Sequence, residues 1–329
     1  MATTTRRPKA VRKLLGVATA LLLPALIAGC ANSAGDEFPS KAIEYVVPHP
    51  AGGGTDSVAR AVAPYLEKYL DVPVKVVVRS GGAAVTGTQH VIGEPADGYT
   101  VLGVEGGIMT TGPAGNSELP YDPEADLQSV GLITSDPWAL VASKDSGLET
   151  IEDFIDKVKT APEGLRIGIA NVMSSDHYAW LLVQRELGGP ELKYVTFGGG
   201  GPTATAVLNG DVDVAFIVPS NVQQSQENLL AVTGSERLEA FPDVPTTDEL
   251  GLGAADAGLW QGLVVRSGTP DDVVDKLAEA LAEAHTDPKF VEALAKLGLS
   301  GKELGPQDMT DFTSVEREQA KKLVAEFSG

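Results

Sequence analysis

The stretch "VPHPAGGGTDSVAR", residues 47–60, decides how the chain is to be read. An apolar run ends at Val47, three glycines follow, and Thr55 or Asp56 opens a helix whose apolar face includes Val58, Val62, Leu66 and Tyr69. Strand, glycine turn and helix make the repeating unit of α/β proteins, in which ligands bind at the carboxyl ends of strands. The first turn of such a helix presents unpaired N–H groups and a positive dipole, and glycines let an anion reach the backbone. Taken alone, the junction reads more readily as a tight turn with Asp56 as a cap.

Two more junctions of the same kind follow. "LRIGIANVMSSDHYAWLLVQREL" (165–187) runs strand, polar turn, helix, with Ser174, Ser175 and Asp176 at the helix start. "YVTFGGGGPTATAVL" (194–208) places Gly198 to Gly201 before Pro202 and another helix. Three such junctions are hard to attribute to turns alone, and they make the loops candidate sites for an anion.

Around them, strand-like runs fall at 43–47, 72–78, 99–104, 139–143, 165–170, 192–197, 212–218, 229–233 and 259–265. Helical patterns fall between many of them, at 55–70, 83–93, 150–159, 175–187 and 202–209. Short β-branched runs between helices predict parallel sheets covered on both faces. From residue 269 helices follow one another, with Thr269 as a cap, Pro270 at the first helical position and a last amphipathic helix over 306–327, a helical tail on the outside of a finished domain.

The chain of 329 residues is long enough for about two domains. Lys and Arg number 25 against 45 Asp and Glu, and five of the bases (Arg6, Arg7, Lys9, Arg12, Lys13) lie in the first thirteen residues. The acidic remainder argues against nucleic acid as a partner. The basic start, the apolar run from Leu14 to Ala28 and "LIAGC" read as a lipoprotein signal peptide over 1–29, with Cys30, the only cysteine, as the lipidated residue. Residues 30–39, including "ANSAGDEF", read as a tether. The expected location is extracytoplasmic, anchored to the membrane by lipid, in periplasm or at the cell surface.

No catalytic constellation competes with the anion loops. The sequence holds no nucleophile elbow, Walker lysine, dinucleotide fingerprint or zinc-protease motif. Ser57 and Ser175 lack a nearby base and orienting acid, so no enzyme activity, cofactor or metal is expected. Of the histidines, His90 and His285 read as surface helix positions, His177 as structural, and His49 as a residue whose contact with ligand is open. Trp138, Trp180 and Trp260 read as core. Asp56 is open between helix cap and acceptor for a ligand hydroxyl or ammonium.

These motifs resemble those of the Bug-type solute receptors, the extracytoplasmic binding subunits of tripartite tricarboxylate transporters. Pro48, Gly52, Gly53, Asp56, Ala59 and Arg60 match the first family motif. "EPADGYTVL", "LPYDPEADLQSVGLI", "GGGPTATAVLNGDVDVAF", "VPTTDELG" and "GLVVRSGTPDDVV" follow in the family's order. The resemblance implies a periplasmic binding protein type II fold, two Rossmann-like α/β lobes with a ligand cleft between them. One lobe would be 40–138 with 260–329, the other 139–259. It implies a receptor for a small di- or tricarboxylate, citrate-like, working as a monomer with a large and a small integral membrane subunit; a sensor signalling to a membrane histidine kinase is the alternative. By the same resemblance, the ligand contacts would be His49, Ala51, Gly52, Gly53, Gly54, Thr55 and Asp56 in one lobe. Met173, Ser174, Ser175 and Asp176 would face them from the other, with Gly199, Gly200 and Gly201 alongside. Two positions depart from the family pattern: His49 replaces a common aromatic residue, and "TFGGG" (196–200) lacks a frequent lysine.

Overall fold

The computed structural model describes residues 38–254 and 257–327. The signal peptide, Cys30 and the tether as far as Glu37 lie outside the described residues. The chain begins with β1 (Ile43–Val47), α1 (Gly54–Leu70), β2 (Val74–Val78), α2 (Val85–Gly93) and β3 (Thr100–Glu105). Three short helices, α3 (Gly106–Met109), α4 (Thr111–Gly115) and α5 (Pro123–Asp126), lead to the long β4 (Leu127–Pro137). Next come β5 (Ala139–Ser143), α6 (Ile151–Thr160), β6 (Arg166–Ile169), α7 (Ser175–Glu186), β7 (Lys193–Thr196), α8 (Gly200–Leu208), β8 (Val214–Ile217) and β9 (Glu227–Val232). The chain closes with β10 (Gly258–Arg266), α9 (Asp271–Thr286), α10 (Pro288–Lys296), β11 (Gly301–Leu304) and α11 (Pro306–Phe327).

The strands form two sheets, one in each of two α/β lobes. The six-stranded sheet has the order β11-β4-β10-β3-β1-β2 and the five-stranded sheet β7-β6-β8-β5-β9. The sequence predicted parallel sheets, and both are mixed. β1 runs parallel to β2 and β3, and β6 parallel to β7 and β8. β10 is antiparallel to β3 and β4, and β5 to β8 and β9. The cause is the route of the chain. β4 passes through Trp138 directly into β5, and β9 returns through residues 233–257 to β10. A strand arriving from the other sheet starts at the end where its βα-unit neighbours stop, so it must run against them. The carboxyl ends of β1 and β3 therefore face those of β6, β7 and β8.

Near-continuous apolar strands put the cores on both faces of the sheets. α1 buries Val58, Val62 and Leu66 with α9 and α10 on one face of the six-stranded sheet, and Ile108, Trp260 and Met309 close the other. In the second lobe Trp180 lies against Phe154 and Phe216, with ring centroids 5.8 and 4.5 Å away. Each fully buried apolar side chain of this size stabilises the fold by about 1.5–3 kcal/mol. Trp138, Trp180 and Trp260 are all buried, as the sequence indicated.

The C-terminal region differs from the expectation in four ways. β11 interrupts the run of helices, pairing antiparallel with β4. Pro270 is the N-cap of α9, with extended ψ, while the Thr269 hydroxyl donates to the Arg266 carbonyl and does not cap the helix. α11 is more than an outer tail: Met309 packs into the core of the first lobe and Ala320 and Leu323 into that of the second. His285 is half-buried, its Nε2 3.2 Å from the Leu132 carbonyl and its ring edge-on to Phe290, because α9 lies flat on the sheet. His90 is also half-buried, between Glu44 and Glu94.

Candidate functional site

The first loop leaves β1 at Pro48 and enters α1 at Gly54. Gly53 is the N-cap and carries no side chain to satisfy the first turn, so the N–H groups of Gly54, Thr55 and Asp56 have no partner within the helix. Ala51, Gly52 and Gly54 are exposed and Gly53 half-buried. Gly52 has φ +80°, a left-handed conformation that favours glycine, and a Cβ there would meet nothing within 4 Å. The Gly52 amide donates to Asp56 Oδ2 at 2.9 Å and the Gly53 amide to the Pro50 carbonyl. Asp56 also takes Arg60 Nε at 3.1 Å, and its Oδ1 lies 2.9 Å from Arg60 Nη2. Burial pushes the Asp56 carboxyl up, but hydrogen bonds from Arg60 and Gly52 outweigh it and hold the group below the usual carboxylate range. Asp56 thus fastens the turn from within.

The second loop leaves β6 and enters α7 at Ser175, with Ser174 as N-cap. Met173 takes φ +61° and its amide donates to His177 Nδ1 at 3.0 Å. Burial pushes the His177 ring down to about 4, which keeps Nδ1 an acceptor, and its edge contact with Tyr194 fixes the ring. Asp176 is buried; its Oδ2 accepts the Ala170 amide at 2.7 Å and its Oδ1 the Ser174 hydroxyl. Burial pushes its carboxyl up to about 6 against those bonds. The first-turn amides of Ser175, Asp176 and His177 have no partner within the helix.

The third loop lies alongside the second, because the Gly198 amide donates to the Ala170 carbonyl at 2.8 Å. Gly199 is half-buried, and Gly200 and Gly201 are exposed with open space where a Cβ would be.

A chain of contacts across the corner between β3 and α3 sets the first two loops against each other. A Cβ on Gly54 would lie 3.7 Å from Gln261 Nε2, and Gln261 pairs with Glu105 across β10 and β3. A Cβ on the residue after Glu105, Gly106, would lie 3.6 Å from Ser175 Cβ. The Thr111 hydroxyl donates to the Met173 carbonyl at 2.7 Å, tying the first lobe to the second loop. Two helix N-termini from different lobes therefore flank one polar corner, an arrangement suited to holding two negative charges some distance apart.

Sequence reasoning did not single out Glu105, Gln261 or Thr111. His49 bridges to the first of them: its Nδ1 is 3.2 Å from Thr55 Oγ1 and its Nε2 3.6 Å from Glu105 Oε1. A signal for Glu105 was present, since "VLGVEGGIM" (101–109) is another strand end followed by two glycines and a helix. A separate cavity of about 1110 Å³ is lined by Asp136, Arg185, Arg237, Glu316 and Lys322 among others, and by none of the loop residues. It mixes both signs of charge and offers no long helix N-terminus, so its size does not make it the anion site.

Comparison with known proteins places the chain in a family. The description "Tripartite tricarboxylate transporter family receptor" matches residues 58–328. A UPF0065 protein of Agrobacterium vitis, from the TAR-I ttuE-ttuC' intergenic region, is 33% identical over 297 residues, covering 89% of this chain and 85% of its own. Among solved structures, the periplasmic binding protein BugD is 27% identical with a TM-score of 0.77, covering 88% of this chain and 98% of that one. MatC of Rhodopseudomonas palustris with bound malate is 28% identical with a TM-score of 0.78, covering 87% and 100%. The R. palustris protein Rpa4515 with adipate is 25% identical with a TM-score of 0.78, covering 88% and 99%. The chain belongs to the tripartite tricarboxylate transporter receptor family, a family of extracytoplasmic solute-binding proteins with the periplasmic binding protein fold.

Proposed function

We propose that this receptor captures a small di- or tricarboxylate between the first turns of α1 and α7 and delivers it to a large and a small membrane subunit of a tripartite transporter. The observation that carries the reading is the pair of helix N-termini, their first-turn amides without a partner in the helical ladder, facing one another from two lobes. Related receptors hold malate and adipate, both dicarboxylates, which supports the same class of ligand here. The lobes divide at Trp138 and near Trp260, and closing about these crossovers brings the two amide sets onto one ligand. Cys30 carries the lipid that keeps the receptor at the membrane surface.

The energetics favour two anchoring points over one. Micromolar binding needs about −8 kcal/mol. One helix end contributes roughly 0.3–1 kcal/mol, up to about 2 when partly buried. Charge-assisted hydrogen bonds add about 1.5–3 kcal/mol each. Four or five from two lobes reach the target after the cost of association, whereas a single loop falls short.

A thermal-shift and calorimetric panel of succinate, malate, adipate, glutarate, L-glutamate, tricarballylate and citrate tests the reading. Saturable binding with a raised Tm is expected for at least one member with two carboxylates. Absence of binding by every acid would remove the carboxylate assignment.

A further inference from the structure

The polar corner between the two helix ends holds a carboxylate of its own. Glu105 ends β3, its Oε2 accepts the Gly107 amide at 2.7 Å, and its Oε1 accepts no hydrogen bond among the described residues. Its one ion-pair contact among them is with His49, whose Nε2 at 3.6 Å is too far for a direct hydrogen bond. No lysine or arginine pairs with Glu105 there. Arg317 is turned to the Met109 carbonyl and to Glu124. Glu316, buried and bonded to Trp260 Nε1 at 2.9 Å, adds a further acid to the neighbourhood. Gln261, paired across from Glu105, is 3% exposed, and its buried Oε1 has no hydrogen-bond partner.

A site built to attract anions thus contains a charged acceptor, Glu105 Oε1, without a hydrogen bond among the described residues, one strand away from the residue that meets the opening of α1. A third ligand carboxylate at this corner would meet Glu105 as a like charge. A ligand hydroxyl supplies one donor and leaves the charge uncompensated. A protonated amine supplies the donor and cancels the charge.

We propose that Glu105 is a specificity-determining residue and that, resting on the carboxylate reading above, the preferred ligand is an amino-dicarboxylate. The amine sits on Glu105 Oε1, and the two carboxylates lie on the facing helix ends. Glu105 then disfavours citrate-like tricarboxylates and narrows the ligand class.

The test is calorimetric titration of the wild type and Glu105→Gln with L-glutamate and L-aspartate, each against the diacid of the same length, glutarate and succinate. Gln keeps an oxygen for the Gly107 amide but removes the charge. One amine-bearing acid should bind the wild type at least about tenfold tighter than its diacid, and the variant should lose at least about tenfold for that amine while holding or gaining diacid affinity. Equal binding of amine and diacid by the wild type would overturn the inference while leaving the carboxylate reading intact. So would an unchanged ratio in Glu105→Gln. If the wild type binds none of the four acids nor any other dicarboxylate, the carboxylate reading falls and the inference with it. The wild-type comparison needs no variant, so it decides even if the substitution impairs folding.

Discussion

The two facing loops are the same backbone device finished in opposite ways. At the start of α1, Asp56 is buried but paired with the exposed Arg60, and its carboxyl is held below the usual range. At the start of α7, Asp176 has no cation beside it, is buried with Ser174 and the Ala170 amide, and is pushed up to about 6. Each aspartate reaches back to a loop amide and so fixes the glycine or polar turn from which the helix springs. The difference teaches that a buried carboxylate can secure a turn either with an arginine beside it or through hydrogen bonds alone, and the two respond to acid with opposite sign.

That opposition gives the largest expected effect. Asp176 binds its proton more readily folded than unfolded, so its contribution to stability is complete below pH 4 and is lost as pH rises through about 6. Asp56 runs the other way, with its contribution present above the ordinary carboxylate pKa and lost on acidification below it. Urea unfolding of the wild type and Asp176→Asn from pH 4 to 7.5 should show the variant gaining on the wild type as pH rises, by at most about 3 kcal/mol. Asp136 and Glu316, whose carboxyls burial also pushes up, to about 6 and about 7, remain in both proteins and cancel in the difference. A variant difference that is flat with pH would break the contrast.

Truncation should separate the loops next. Asp176→Ala takes the acceptor from the half-buried Ala170 amide, while the Ser174 hydroxyl keeps the Asn171 carbonyl, and is expected to cost about 1–3 kcal/mol in unfolding free energy. Asp56→Ala leaves groups that water can reach and should cost about 1 kcal/mol or less. Equal losses at 25 °C would show that the dry network adds nothing over the ion pair.

Much of the fold was legible because it is local. All nine strand-like runs are strands, and the helix starts at the three glycine or polar turns lie within two residues of expectation. β4 escaped because Gly131, Thr134, Ser135 and Asp136 interrupt its apolar pattern, and β11 because it is four residues long and largely exposed. Strand direction carries no periodic signal, so the antiparallel β5 and β10 followed only from seeing the chain cross between sheets. In the site, the glycine loops were readable as contiguous motifs. Glu105, Gln261 and Thr111 meet them through the pairing of β3 with β10 and a bond between lobes, which no spacing in the sequence encodes.

The smallest effect sharpens how the two regions cooperate. Thr111→Val removes the 2.7 Å hydrogen bond to the Met173 carbonyl, which favours the lobes held together. Losing one such bond should weaken ligand affinity by about 2- to 12-fold, chiefly through faster release. Stopped-flow displacement with the tightest acid of the panel measures it, and unchanged release would assign that bond no part in closure.

A crystal structure with that same acid tests the central claim most directly. Its two carboxylates should lie about 2.7–3.1 Å from amides of Gly54 to Asp56 and of Ser175 to His177, one group at each helix end. A ligand seated in the cavity lined by Asp136, Arg185 and Arg237, or touching one lobe only, would contradict it.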